Sequence, residues 1–292
     1  MQLDALIHKA DVLIEALPYI VDFRGETVVV KLGGSVMESP DALVGILTDV
    51  AFMRSVGMRV IVVHGGGKAI SRALKEAGLG TTFVQGLRVT DAASIRIVEN
   101  VIKNEVNAEI VRLLESMQIR AVPLHGEDIY FANRKTGTDP ATGAALDWGF
   151  VGVPVSVDTG PVRELLREEI VPVVCPLGRG EDGALYNVNA DTAAAALAKA
   201  LPARKLVFVS DVPGLLRDPA DPATLIETLH MDDAPALIAD GTIAGGMAPK
   251  IESCLAALRA GVRKVHLVDG RLSHSLLLEM FTTKGVGTQI VK

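Results

Sequence analysis

Cysteine is scarce in this chain of 292 residues: only Cys175 and Cys254 occur, both inside apolar runs. That argues against a disulfide framework or a thiolate metal site and suits reduced core thiols, hence a cytoplasmic setting. Positive charge is not in excess either. With a net charge of −6 and a pI of 5.6 there is no electrostatic reason to expect nucleic acid or an anionic membrane as partner. A small anionic substrate would need local positive groups. The opening MQLDALIHKADVLIEAL sets Asp4, His8, Asp11 and Glu15 among its apolar residues, so it reads neither as a leader nor as a membrane span. A GxxxxGK[ST] phosphate loop is missing, and so are short-period repeats and low-complexity tracts. What remains, 49% hydrophobic and 22% charged residues, can bury a large core as one large or two modest domains.

The chain repeats a short β-branched run, a glycine-containing turn and an amphipathic or Ala-rich stretch, the rhythm of an α/β protein with a mostly parallel sheet. Strands are expected at Thr27 to Leu32, Arg59 to His64, Arg120 to His125, Ile170 to Cys175, Lys205 to Ser210 and Lys264 to Asp269. Most are too continuously apolar for a sheet with one wet face. Helices are expected at Asp41 to Val56, capped by Ser39 with Pro40 first, and at Ala92 to Met117, capped by Asp91. Two more are expected at Ala190 to Leu201 and Met247 to Ala260. Between Asp128 and Ser156 the rhythm breaks into short alternating segments, which suggests a β-hairpin excursion or lid. The string GRGEDG, Gly178 to Gly183, suggests a domain boundary near residue 180.

Four segments and one arginine could carry chemistry. In VVVKLGGS, Lys31 ends a strand, and Gly33 and Gly34 let backbone N–H groups approach a phosphate; a plain strand-to-helix turn explains the same residues. In VIVVHGGGKAI, Gly65, Gly66 and Gly67 give up more backbone entropy than a tight turn requires, which favours an anion cradle. Two such loops at strand C-termini would open onto one sheet edge, where ligands of open α/β sheets bind. In NVNAD, Asn187, Asn189 and Asp191 lead into an Ala-rich helix, and helix capping competes with ligand binding as their role. In GGMAPK, Lys250 stands at a helix start, unfavourable for the macrodipole without a compensating anion, although a solvated lysine is the commoner case. Arg88 in QGLRVTD could clamp a carboxylate bidentately or simply make a surface pair.

The succession KLGGS, HGGGK, GLRVTD, NVNAD, SDVPGL and GGMAPK resembles the amino-acid-kinase family over almost the full length. QGLRVTD, NVNAD and GGMAPKI are similar to its members acting on N-acetyl-L-glutamate. The tail GVGTQI and the opening EALPYI resemble their arginine-inhibited branch. Leu32, where that branch usually has an aromatic residue, and Lys68, in place of a frequent proline, depart from the pattern at positions with no catalytic role.

The resemblance implies a three-layer αβα sandwich around a central, mainly parallel open sheet. It also implies an N-terminal oligomerisation helix (1–20), an N-acetylglutamate-binding domain (21–180) and an ATP-binding domain (181–292). It implies phosphorylation of the substrate's γ-carboxylate in arginine biosynthesis, with ATP and Mg²⁺ as cosubstrate and no tightly bound cofactor. By motif, Lys31 and Lys250 would neutralise the transferring phosphoryl group and Asp191 would orient both. Gly33 and Gly34 would cradle the ATP phosphates, with Ser210 and Asp211 in the nucleotide pocket. Gly66 and Gly67 would approach the phosphoryl group and the substrate carboxylate, Arg88 would clamp the α-carboxylate, and Asn187 and Asn189 would bind the acylated amino acid.

A side-chain carboxylate has a reference pKa of about 4.3, so the nucleophile is already ionised and no histidine base is needed. What the reaction needs is positioning and charge cancellation. A carrier-linked acidic amino acid as substrate, or a non-catalytic arginine sensor, are the alternatives. Leu3, Leu6, Ala10, Leu13 and Leu17 recur at spacings of three and four, a coiled-coil-like seam on a helix that Pro18 is expected to end. The resemblance implies that this helix joins dimers into a hexamer. It also implies an inhibitory L-arginine site beside the helix, involving Tyr19, Lys205, His266, Gly270 and Glu279.

Overall fold

The computed structural model describes residues 2–139, 142–282 and 285–292. Its centre is an eight-stranded sheet in the order Thr228–His230, Thr288–Val291, Lys264–Asp269, Lys205–Ser210, Thr27–Leu32, Arg59–His64, Val171–Val174, Ala121–Leu124. All neighbours are parallel except Lys264–Asp269 with Thr288–Val291. From Thr27–Leu32 the sheet's strands up to Val171–Val174 extend it in one direction and those from Lys205–Ser210 onward in the other. The switch point, where ligands bind in such sheets, therefore lies between Thr27–Leu32 and Lys205–Ser210.

The strands are apolar throughout because both faces are covered. Val29, Ile61, Val63, Leu206 and Phe208 pack beneath the helices Ala190–Ala200 and Met247–Arg259. Val28, Val30, Val60, Val62 and Val207 pack against Pro40–Ser55, Ala108–Ser116 and Ser275–Phe281. This alternation decides where Lys31 goes. It lies in register with Val63 and Phe208, on the face covered by Ala190–Ala200 and Met247–Arg259.

The excursion after Asp128 is a long hairpin, Tyr130–Thr138 with Ala145–Val157, closed into a small barrel by Leu177–Arg179 and Leu185–Val188. The GRGEDG string ends the strand Leu177–Arg179 and makes the turn toward Leu185–Val188, so it lies within the barrel. A two-residue turn, Gln85 and Gly86, both with positive φ, joins Phe83–Val84 to Leu87–Arg88.

Two expectations need correction. The helix begun at Ala92 under its Asp91 cap does not run evenly to Met117: Ala92–Asn100 passes into a π-helical turn, Val101–Asn107, before Ala108–Ser116. The N-terminal helix does not stop at Pro18 but runs Gln2–Phe23. An internal proline costs about 3 kcal/mol. Here the last turn is held by tertiary contacts: the Phe23 ring is buried beneath the Arg204 guanidinium at 4.3 Å, and Arg204 also engages the Asp22 carboxylate and carbonyl. Leu3, Leu13 and Leu17 of the seam are exposed, and the Leu6 side chain lies outside the described residues. No helix among the described residues is long and apolar enough to cross a membrane.

Candidate active site

Lys31, next to last in its strand, lies on the face covered by Ala190–Ala200, and Asp191 stands in the first turn of that helix, where a carboxylate is favoured by the macrodipole. Asn189 caps the helix, its Oδ1 accepting from the Asp191 and Thr192 amides at 2.9 and 3.0 Å. Lys250 stands in the first turn of the neighbouring Met247–Arg259. The three meet. Lys31 Nζ lies 2.8 Å from Asp191 Oδ1 as an ion contact, while Lys250 Nζ donates to Oδ2 at 3.2 Å. The compensating anion for a lysine at a helix start is thus Asp191. Burial pulls the Lys31 ammonium below its ordinary range against the opposing pull of Asp191. Burial alone would raise the Asp191 carboxyl, but the charges of Lys31 and Lys250 outweigh it and hold the group below the usual carboxylate range.

In the first turn Gly34 is required by its positive φ, and Gly33 leaves room for the Lys31 side chain. A Cβ at Gly33 would lie 2.1 Å from Lys31 Nζ, so the ammonium folds over that residue. Gly34, at φ +63°, would bring a Cβ within 3.2 Å of the Asp211 carboxylate, which places Asp211 against the phosphate-loop candidate. Ser210, just before it, is buried at the strand's end and its hydroxyl finds no hydrogen-bond partner among the described residues. In the second turn Gly65 donates to Leu32 O at 2.9 Å, tying the two loops together, and Gly66 caps the helix Gly67–Glu76.

A cavity of about 850 Å³ opens at this edge, lined by Lys31, both glycine turns, Arg88, Asn187 and Asn189. Arg88 is buried, not a surface residue. Its Nη2 donates to Gly67 O at 2.7 Å and Ser71 Oγ at 2.8 Å, its Nη1 to Thr81 Oγ1 at 3.2 Å, and its guanidinium covers the Phe83 ring at 4.8 Å. These supports went unrecognised in the sequence, where Thr81 and Ser71 are ordinary polar residues. They leave N–H groups of the fork free for a ligand. Asn187 donates to Thr90 Oγ1 at 3.3 Å.

Three of the five residues assigned to an arginine site also cluster. Glu279 is buried with Nδ1 of His266 at 2.5 Å from Oε1, and its Oε2 accepts from the Val286 and Gly287 amides at 2.9 and 3.2 Å. Lys205 Nζ reaches Glu279 O at 3.5 Å, and burial pushes its pKa down to about 8. Tyr19 is half-buried on the N-terminal helix, packed on the adjoining core. Gly270 is elsewhere: it follows the C-terminal end of Lys264–Asp269 and packs on Val36 and Val209. The glycines that adjoin Glu279 are Gly285 and Gly287, in the GVGTQI tail.

An open parallel sheet with two glycine turns and carboxylate-linked lysines at its switch point is the build of an enzyme that moves a highly charged group by placing cations around it. The chain belongs to the amino acid kinase family, whose profile matches residues 26–269. It is 47% identical to the acetylglutamate kinase of Heliobacterium modesticaldum across 98% of this chain and 99% of that protein. Among solved structures it resembles the N-acetylglutamate synthase from Neisseria gonorrhoeae complexed with coenzyme A and N-acetyl-glutamate. The TM-score is 0.84 at 29% identity, over 97% of this chain and 63% of the synthase's length. The same synthase complexed with coenzyme A and L-arginine matches with a TM-score of 0.81 at 27% identity, over 97% of this chain and 65% of that one.

Proposed function

We propose that this protein phosphorylates the γ-carboxylate of N-acetyl-L-glutamate with ATP, a step of arginine biosynthesis in the cytoplasm. The observation that carries the reading is the Lys31–Asp191–Lys250 group, whose Lys31 lines one cavity with both glycine turns and Arg88. Residues 21–180, joined by Asn187 and Asn189, hold the acylated amino acid, and residues 181–292, joined by Gly33 and Gly34, hold the nucleotide, which enters with Mg²⁺ on its phosphates. The attacking carboxylate is ionised at neutral pH, so the protein's work is to bring two anions together and cancel charge on the group in flight. Lys31 and Lys250 approach that group from opposite halves of the chain, and Asp191 sets where their ammonium groups stand. Gly33 and Gly34, with Asp211 and Ser210 behind them, receive the nucleotide. Gly66 and Gly67 offer amides to the phosphoryl group and substrate, Arg88 takes the α-carboxylate, and Asn187 and Asn189 bind the rest. Asn189 does so through its Nδ2, since its Oδ1 is committed to the helix cap.

L-Arginine is the second ligand of this reading. The buried Glu279, with Lys205 and His266 around it and Tyr19 on the helix above, supplies the carboxylate and ring that a guanidinium would use. The exposed Leu3, Leu13 and Leu17 of the N-terminal helix favour a hexamer in which this helix pairs with its copy in a neighbouring dimer. The deciding experiment is ADP release on mixing the protein with MgATP and free N-acetyl-L-glutamate, with and without L-arginine. No ADP above the ATP-alone background would reject the kinase reading in favour of a carrier-linked substrate or a pure arginine sensor.

A further inference from the structure

One buried polar chain has no part in the mechanism above. His64 ends the strand Arg59–His64, is wholly buried, and does not line the cavity, although Gly65, Gly66 and Gly67 after it do. Its Nδ1 lies 2.8 Å from Gly65 O, and its Nε2 2.9 Å from Asn107 Nδ2. The same Nδ2 donates to Val173 O at 2.8 Å. The protons can be placed by elimination. A carbonyl only accepts, so the Asn107 atom facing Val173 is the amide nitrogen. That nitrogen only donates, so the His64 Nε2 opposite it carries no proton. Burial pushes the His64 pKa down to about 4, so the ring is neutral and its one proton sits on Nδ1, which donates to Gly65 O.

The consequence appears on the far side of a peptide bond. The C=O and N–H of a trans peptide point in opposite directions, so turning the Gly65 carbonyl onto His64 turns the Gly66 N–H away from the buried ring. Gly66 has no side chain to hold this turn. A Cβ there would lie 3.5 Å from Ile102 and 3.7 Å from Val106, and both belong to the π-helical turn whose last residue is Asn107. In a regular α-helix, residues five apart stand roughly 140° round the axis from each other. The wider π turn brings Ile102 and Asn107 to the same side, so one walls the glycine loop while the other reaches His64.

We propose that His64 and Asn107 are positioning residues for phosphoryl transfer: anchored on the Val173 carbonyl, they fix the peptide plane between Gly65 and Gly66 and aim the Gly66 N–H into the cavity. The proposal rests on the kinase reading above.

Two substitutions of one residue separate positioning from bulk. Asparagine at 64 can place its amide nitrogen where Nδ1 was, keeping the donation to Gly65 O and dropping the link to Asn107. Glutamine reaches the place of Nε2, keeping the link and dropping the donation. In ADP release with saturating MgATP and N-acetyl-L-glutamate, His64→Asn retains kcat within about fivefold, whereas His64→Gln loses on the order of 100-fold, the scale of a group misplaced by about 1 Å. The KM for MgATP stays within about twofold in both. Equal losses in the two variants, or the greater loss in His64→Asn, would overturn the proposal. Nitrogen NMR of the unaltered chain gives a reading that needs no variant. His64, assigned by through-bond correlation, is protonated on Nδ1 alone between about pH 5.5 and 8. A proton on Nε2 overturns the proposal whatever the activity. The Nδ1 form in a chain that makes no ADP from N-acetyl-L-glutamate would reject the kinase reading instead, leaving the hydrogen-bond relay intact.

Discussion

Asp191→Asn exchanges one oxygen for nitrogen and removes the charge that two lysines share. The ammonium groups stand 2.8 and 3.2 Å from its oxygens, so at an effective dielectric near 20 the Coulomb terms are about 6 and 5 kcal/mol. Desolvation offsets much of this, and removing one partner of such a buried group costs roughly 3–5 kcal/mol. The site is affected more than the fold. With no carboxylate between them the lysines repel each other. Lys31, already below its ordinary range because of burial and further lowered by Lys250, falls again. Both must be protonated to cancel charge on the moving phosphoryl group, so kcat should fall on the order of 100- to 1,000-fold, with a much smaller rise in KM. The pH dependence has a definite sign. The protonated lysine is the active form, so activity is lost as pH rises through its folded pKa, and in the variant this alkaline fall moves to lower pH. Coupled ADP release at saturating substrates, followed from about pH 6 to 10, measures both quantities. A variant with kcat within about fivefold of the unaltered chain, or an alkaline limb that stays in place, would refute the argument.

Lys31→Ala and Lys250→Ala should each lower kcat on the order of 100- to 1,000-fold with little change in KM, and a variant with near-normal kcat would move that lysine out of the mechanism. Arg88→Ala should raise the KM for N-acetyl-L-glutamate while leaving that for MgATP nearly unchanged; equal losses for both substrates would point instead to collapse of the Thr81, Ser71 and Gly67 contacts. Asp191 is held below the usual carboxylate range, so it stabilises the fold above that range and this contribution is lost as pH falls through its folded pKa. Melting temperatures of the unaltered chain and Asp191→Asn should therefore draw together in acid, and a constant gap from about pH 7 down to 3 would contradict this. Deleting residues 1–17 should give active dimers with little response to L-arginine, whereas a hexamer in light scattering with full inhibition would remove the helix from the regulatory scheme.

Much of the sheet was legible because fully buried parallel strands announce themselves: Thr27–Leu32, Arg59–His64, Lys205–Ser210 and Lys264–Asp269 have the bounds read from their apolar runs. The Ser39 and Asp91 caps were legible for the same local reason, whereas at the start of Ala190–Ala200 the sequence does not decide between Asn189 and Asp191 as cap, or between capping and ligand binding. What the sequence hid was set by contacts far along the chain. Pro18 does not end its helix because Arg204, distant in sequence, holds Asp22 and Phe23. The π turn leaves no mark in residue periodicity; its last residue, Asn107, contacts His64 and Val173, which lie far along the chain. Among the candidate residues, glycines were the weakest guide. Gly33 and Gly34 are bound by their neighbours, but Gly270 was chosen for a cluster that Gly285 and Gly287 adjoin, in a tail noted for its resemblance and not read for its chemistry.

The placement of Lys31 makes its strand sensitive to count as well as to content. Its ammonium meets Asp191 only because it stands an odd number of positions along the strand from Val28 and Val30, whose side chains enter the other layer of the sandwich. One residue inserted between Val30 and Lys31 would preserve the apolar run and the strand's hydrogen bonding, yet rotate the lysine toward Pro40–Ser55 and put its neighbour under Asp191. The site is therefore written partly in parity. Conservative substitutions at Val28, Val29 or Val30 should be well tolerated here, while single-residue insertions and deletions in the same stretch should silence the enzyme without unfolding it.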